Sequence, residues 1–171
     1  MINRTRHIGC ILFVLSLLPM LSGCNNKDDV IEVFTGKTWK LSRLTNEGSS
    51  AQFYPGLWQD EKAANSSKEA LKVEDNFTLI FEGSELNGEL MGARISGQGI
   101  RSNFSGSWSA DGKSQTVTLL PNIKGTESDA LANAFIKGLK TVYQYEGNAN
   151  SLTLFFKDGN TIRVMGFSRK R

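Results

Sequence analysis

Ser151-Leu152-Thr153-Leu154-Phe155-Phe156-Lys157-Asp158-Gly159-Asn160-Thr161-Ile162-Arg163-Val164-Met165-Gly166-Phe167 has the pattern of a β-hairpin. Leu152, Leu154 and Phe156 share one face by the two-residue period of a strand, Asp158-Gly159 supplies a tight turn, and Ile162 and Val164 resume the alternation on the return. Phe155, Met165 and Phe167 fall on the opposite faces, so both sides of this sheet are expected to be partly covered. One step upstream, Thr141 to Glu146 forms a third strand, joined through Gly147-Asn148-Ala149-Asn150. The last third of the chain is therefore a meander over residues 141–146, 151–157 and 160–167.

A helix is predicted just before it. Leu131, Phe135 and Leu139 recur every fourth residue with Ala132 and Ile136 beside them, Thr126 is the expected cap, and Glu127 and Asp129 suit the positive end. Further upstream the period returns to two. Phe77, Leu79 and Phe81 alternate up to a turn at Gly83-Ser84; residues 93–98 form a second strand; residues 100–109 form a third, with Phe104, Gly106 and Trp108 on one face. After the turn Ala110-Asp111-Gly112-Lys113, residues 115–120 carry Val117 and Leu119 inward and stop at Pro121. Gly88, Gly92, Gly97, Gly99 and Gly106 suit the bulges and curvature that closing a sheet requires. Trp39 and Leu41 mark a half-buried first strand, Val30 to Phe34 reads as the end of a tether or a short strand, and a short helix is expected within Ser67 to Leu71, capped by Ser66 or Ser67. The fold class is mainly β with a minor α+β character: a small antiparallel barrel-like or highly curved sheet, with one helix before the final three-strand meander.

Composition removes several function classes. The only histidine is His7, and the two cysteines are Cys10 and Cys24. If the first 23 residues are removed, no histidine remains, a Ser-His-Asp or Cys-His site cannot be assembled, and zinc would have only carboxylates to bind. The formal charge of +3 then falls to +1 with the loss of Arg4 and Arg6, which gives no electrostatic case for nucleic acid. Arg169-Lys170-Arg171 reads as a solvated basic tail.

Two features invite a functional reading. Phe53, Tyr54, Leu57 and Trp58 crowd around Pro55-Gly56 in a segment with no period; they either pack back over an open end of the sheet or present a ligand-facing aromatic loop, with Phe53, Tyr54 and Trp58 as its candidates. The acids Glu74, Asp75, Glu82, Glu85 and Glu89 could supply a glycosidase-like pair if two carboxyls stood about 5–9 Å apart across a cleft, although solvated strand-edge acids are commoner.

The N-terminus carries the clearest motif. Arg4 and Arg6 precede an apolar run from Ile8 to Leu21, shorter than the roughly 20 residues of a spanning helix. Leu21-Ser22-Gly23-Cys24 ends it and resembles the lipobox of bacterial lipoproteins. That resemblance implies cleavage after Gly23, with Leu21, Ser22 and Gly23 recognised by the signal peptidase. It also implies diacylglycerol and acyl chains on Cys24 as the only non-protein group. Two or three acyl chains at about 0.8 kcal/mol per buried CH₂ hold a protein on a membrane for practical purposes. Asn25 is not the aspartate that retains enteric-type lipoproteins in the inner membrane, which favours the outer membrane. Lys27-Asp28-Asp29 resembles the surface-export signal of Bacteroidetes lipoproteins; the alternatives are a plain solvated tether and a periplasm-facing location. The expected organisation is a signal over 1–23, a tether over 24–34, one β domain over 35–168 and a tail over 169–171.

The strand Thr38-Trp39-Lys40-Leu41, the glycine-rich β region and the helix-plus-meander from Glu127 to Phe167 together resemble the META domain of bacterial envelope lipoproteins. Ser96-Gly97-Gln98-Gly99 lacks the cysteine common in that family's central motif, which makes this a divergent relative. The family carries no established catalytic residues. The expectation is a non-catalytic binding or structural module with an unidentified protein, glycan or small-molecule ligand. The alternatives are a carboxylate-based glycan-active enzyme and an envelope inhibitor or stress-related protein.

Overall fold

The computed structural model describes residues 27–87 and 89–170, so the signal, the lipobox residues Leu21 to Cys24, Asn25 and Arg171 lie outside the described residues. Eight antiparallel strands close into a barrel in chain order: β1 (Thr38–Asn46), β2 (Thr78–Leu86), β3 (Glu89–Gln98), β4 (Asn103–Asp111), β5 (Thr116–Lys124), β6 (Val142–Gly147), β7 (Ser151–Asp158) and β8 (Thr161–Arg169). β8 returns to pair with β1 over Trp39↔Arg169 to Asn46↔Arg163, which leaves neither the first nor the last strand as an edge. Among the described residues three helices accompany the barrel: α1 (Lys27–Phe34), α2 (Glu61–Lys72) and α3 (Ala130–Leu139).

In an up-and-down barrel successive connections alternate between ends. One end holds the entry to β1, the β2–β3, β4–β5 and β6–β7 turns and the end of β8; the other holds the long β1–β2 connection, the β3–β4 turn, the α3 crossover and the β7–β8 turn. α1 leads directly into β1 and plugs the first end. Its Phe34 is fully buried, with ring centroids 4.8, 4.9 and 4.8 Å from those of Phe81, Trp108 and Tyr145. α3 closes the second end with Leu131, Phe135 and Leu139, and Phe135 meets the rings of Phe77, Phe104 and Phe167. Side chains such as Trp39, Leu79, Ile95, Leu119, Leu154 and Met165 fill the space between the two plugs.

Several local expectations are corrected. Residues 27–34 are a helix, neither tether nor strand, because Val30, Val33 and Phe34 find buried places that an extended segment over the barrel mouth would leave exposed. The second helix is longer than residues 67–71, and its cap is Asp60, not Ser66 or Ser67: the Asp60 side chain accepts from Ala63 N. For α3 the cap is Asp129, accepting from Ala132 N, and not Thr126. β2 runs through Gly83-Ser84 to Leu86, because Gly83, at φ +156°, absorbs the register shift between Glu82 and Ser84. β5 runs past Pro121 to Lys124; its pairing with β6 is confined to Thr116↔Gln144, so the missing N–H falls where β5 has no second neighbour. Opposite it, Gly106 lets the β4 and β5 backbones close up, since a Cβ there would run into the Leu120 carbonyl oxygen. The strand β8 takes in Arg169, and Lys170 is likewise held, its N–H donating to Thr38 O and its Nζ lying 3.1 Å from Glu74 and 2.8 Å from Asp75.

Candidate functional site

The end of the barrel opposite α1 carries a cleft of about 310 Å³. Four separate segments wall it: Tyr54 and Leu57 from the β1–β2 connection, Asn133 and Lys137 from α3, Lys157 and Asp158 from the end of β7, and Arg163 from β8. Thr141 closes one side. On the α3 wall Ala134 and Gly138 present little bulk, and Gly138 packs so closely on Phe156 that an added Cβ would crowd the ring at 3.0 Å.

Arg163 is the fixed point of this wall. Its guanidinium lies 3.4 Å from the centre of the Tyr54 ring, its Nε donates to Asp158 Oδ2 at 2.7 Å, and its Nη1 donates to Asn46 Oδ1 at 2.9 Å. Burial raises the Tyr54 hydroxyl above its ordinary pKa; the Arg163 charge opposes that shift and Asp158 reinforces it, so the phenol stays protonated at neutral pH. Lys157 stands 5.5 Å over the Tyr143 ring, and neither it nor Lys137 forms an ion pair among the described residues. Three cations and one carboxylate give the cleft a formal charge of +2.

Two hydrogen-bond clusters hold the surrounding elements in place. Trp58 Nε1 donates to Ser67 Oγ at 2.7 Å, and the Ser67 hydroxyl donates to Asp129 Oδ2 at 2.6 Å, which ties the loop and α2 to the N-terminus of α3. Glu127 does not serve the positive end of α3 as expected; it turns back to the β3–β4 turn. There it accepts from Ile100 N, Arg101 N, Ser102 N and Ser102 Oγ at 2.7–3.3 Å. Burial opposes its ionisation, but these hydrogen bonds outweigh that and lower its pKa.

The aromatic loop is divided by the fold. Tyr54 reaches the cleft, whereas Phe53 bridges to Leu44 and meets Trp58 edge-on at 4.9 Å, and Trp58 is held by Ser67 beneath Lys68. Phe53 and Trp58 thus pack loop on barrel. None of the five candidate acids lines the cleft. Glu74 and Asp75 hold Lys170, while Glu82, Glu85 and Glu89 lie along β2 and β3. Lys27, Asp28 and Asp29 fall in the first turn of α1. Among the described residues no group of three or more His, Cys, Asp or Glu could hold a metal ion, and no helix is long and apolar enough to cross a membrane.

Asn133, Lys137, Thr141, Lys157 and Arg163 carry no motif in the sequence. They converge because α3 packs on β7, which pairs with β8, and the β1–β8 closure then sets the loop after β1, with Tyr54, beside them.

The chain is thus a closed eight-stranded up-and-down antiparallel barrel, plugged by a helix at each end and bearing a small basic cleft beside one plug. It belongs to the family described as domain of unknown function DUF4847, whose model matches residues 25–169. That match takes in α1, in keeping with the burial of Phe34. A DUF4847 family protein from Bacteroides vulgatus ATCC 8482 has a similar structure, with a TM-score of 0.58 and 24% identity over 83% of this chain and 99% of that one. No curated protein matches.

Proposed function

We infer that the chain is an outer-membrane lipoprotein, anchored through acyl chains on Cys24, that serves as a non-catalytic binding or structural module of the cell envelope. The observation that carries this reading is the position of α1. Only Asn25 and Asn26 separate Cys24 from α1, and α1 is locked into one barrel mouth by Val30, Val33 and Phe34. Three residues reach at most about 10 Å, so a lipid on Cys24 keeps that mouth close to the bilayer and turns the cleft away from it. The family match starting at Asn25 supports a domain boundary at the cysteine. At the same end the β2–β3 arm carries Leu86 and Met91 on one face, 60% and 47% exposed, as suits a membrane-proximal surface. Lys27-Asp28-Asp29 directs the anchored barrel to the cell surface, with the cleft facing the exterior. The order of strand, glycine-rich sheet, helix and meander further supports a divergent META-like ancestry.

Metabolic labelling with a palmitate analogue tests the anchor. Label is expected in the wild-type membrane fraction and lost, together with membrane association, in Cys24→Ala. An unlabelled wild type would overturn the anchor. Protease shaving of intact cells tests the orientation: degradation is expected, and protection until the outer membrane is broken would sink surface display.

A further inference from the structure

We propose that the cleft between α3, the β7–β8 turn and the Tyr54 loop is a binding site for an anionic sugar, a hydroxylated ring bearing one carboxylate or phosphate group. This rests on the reading of the chain as a binding module and names the ligand class of that module.

Size sets the first bound. A volume of about 310 Å³ lies at the lower end of ligand pockets, which run from about 300 to 1,000 Å³, and suits one monosaccharide rather than a polymer or a peptide. Charge sets the second. Lys137, Lys157 and Arg163 face a single carboxylate, Asp158, and this local charge of +2 stands in a chain whose charge after residue 23 is +1. An anion entering here meets two ammonium groups that have no carboxylate partner among the described residues, so it displaces no existing ion pair.

The third consideration is preorganisation. Arg163 spends Nε on Asp158, Nη1 on Asn46 and one face on Tyr54, which fixes the plane of its guanidinium and leaves Nη2 without a hydrogen-bond partner among the described residues. A planar fork held before the ligand arrives loses little entropy on binding. Acceptors for sugar hydroxyls stand beside it. Asn133 uses its amide N–H on the Glu127 carbonyl, leaving Oδ1 to accept, and Asp158 uses Oδ2 on Arg163, leaving Oδ1. Leu57, Ala134 and Phe156 add apolar lining against which the carbon face of a pyranose can rest.

The test is calorimetric titration of the full chain in detergent with glucuronate, glucose 6-phosphate and glucose. At least one anion is expected to bind about tenfold or more tightly than glucose, and the stronger of the two identifies the anionic group as carboxylate or phosphate. Lys137→Gln combined with Lys157→Gln should weaken that binding about tenfold with an unchanged melting temperature, since both side chains are exposed. Raising the salt concentration should weaken it as well. Equal affinity for glucose and the anions, no binding of either anion, or wild-type affinity in the double variant would each overturn the proposal. The titration needs no lipid, so its failure leaves the anchor standing, and a Cys24→Ala chain that binds the sugar separates the two readings in the other direction.

Discussion

Phe34→Ala tests whether α1 is part of the fold. The ring is fully buried at the mouth of the barrel and touches Phe81, Trp108 and Tyr145 with centroids 4.8–4.9 Å away. Truncating a buried phenylalanine costs about 3–5 kcal/mol through lost transfer energy and the cavity left behind. The upper half of that range applies, because hydrogen-bonded strands surround the site and cannot collapse into the gap. Three aromatic pairs, each worth about 0.5–1.5 kcal/mol beyond area burial, are lost together. Against a total stability of about 5–15 kcal/mol this is a large share. At about 2–4 °C per kcal/mol for a chain of this size, the melting temperature should fall by roughly 8–20 °C. Urea denaturation followed by tryptophan fluorescence and by circular dichroism measures the loss. Glu32→Ala, an exposed position on the same helix, serves as the control and should stay within about 0.5 kcal/mol of wild type. If Phe34→Ala costs less than about 1 kcal/mol, α1 is a dispensable tether and its role as a plug is refuted.

Two further outcomes follow from polar groups. Glu127→Gln should destabilise the protein by about 1 kcal/mol at neutral pH, a charged-acceptor loss discounted because the side chain is partly exposed to solvent. Since the folded-state pKa of Glu127 is lowered, its contribution is present above the unfolded carboxyl value and lost as pH falls through the folded value. The gap between wild type and variant in urea titrations should therefore close under acid conditions, and a gap independent of pH would contradict the ionic clasp on residues 100–102. Thr45→Val should stabilise by about 1 kcal/mol, because Thr45 Oγ1 is buried without a hydrogen-bond partner and valine keeps the shape while removing the unsatisfied hydroxyl. A lower melting temperature in that variant would show that the hydroxyl is satisfied after all.

The strands were legible where apolar residues alternate and turn chemistry is local. Leu152 to Phe156 with Asp158-Gly159 needs only period two and a tight turn, and the β7–β8 hairpin follows within a residue or two. Reading failed where a distant partner decides. Val30 to Phe34 has no pattern that distinguishes strand, tether and helix; the choice falls to helix because the barrel mouth offers Phe34 three rings. Glu127 looked like a residue favouring the start of a helix, but the β3–β4 turn presents three backbone N–H groups to it.

The candidate site was less legible still. Tyr54 alone was singled out, as one of three aromatic candidates, and its neighbours Phe53 and Trp58 pack on the barrel. Lys137, Lys157 and Arg163 are ordinary surface cations along the chain and form a group only in space.

By itself the sequence determined the strand and helix periods, the barrel-like class and the absence of histidine after residue 7, because each depends on residue type and short spacing alone. The tertiary structure decided which helix plugs which end, that Glu127 turns back to the β3–β4 turn, and that the loop after β1 meets the β7–β8 turn. The last of these rests on barrel closure between β1 and β8, a pairing of residues more than 100 positions apart that no local pattern encodes.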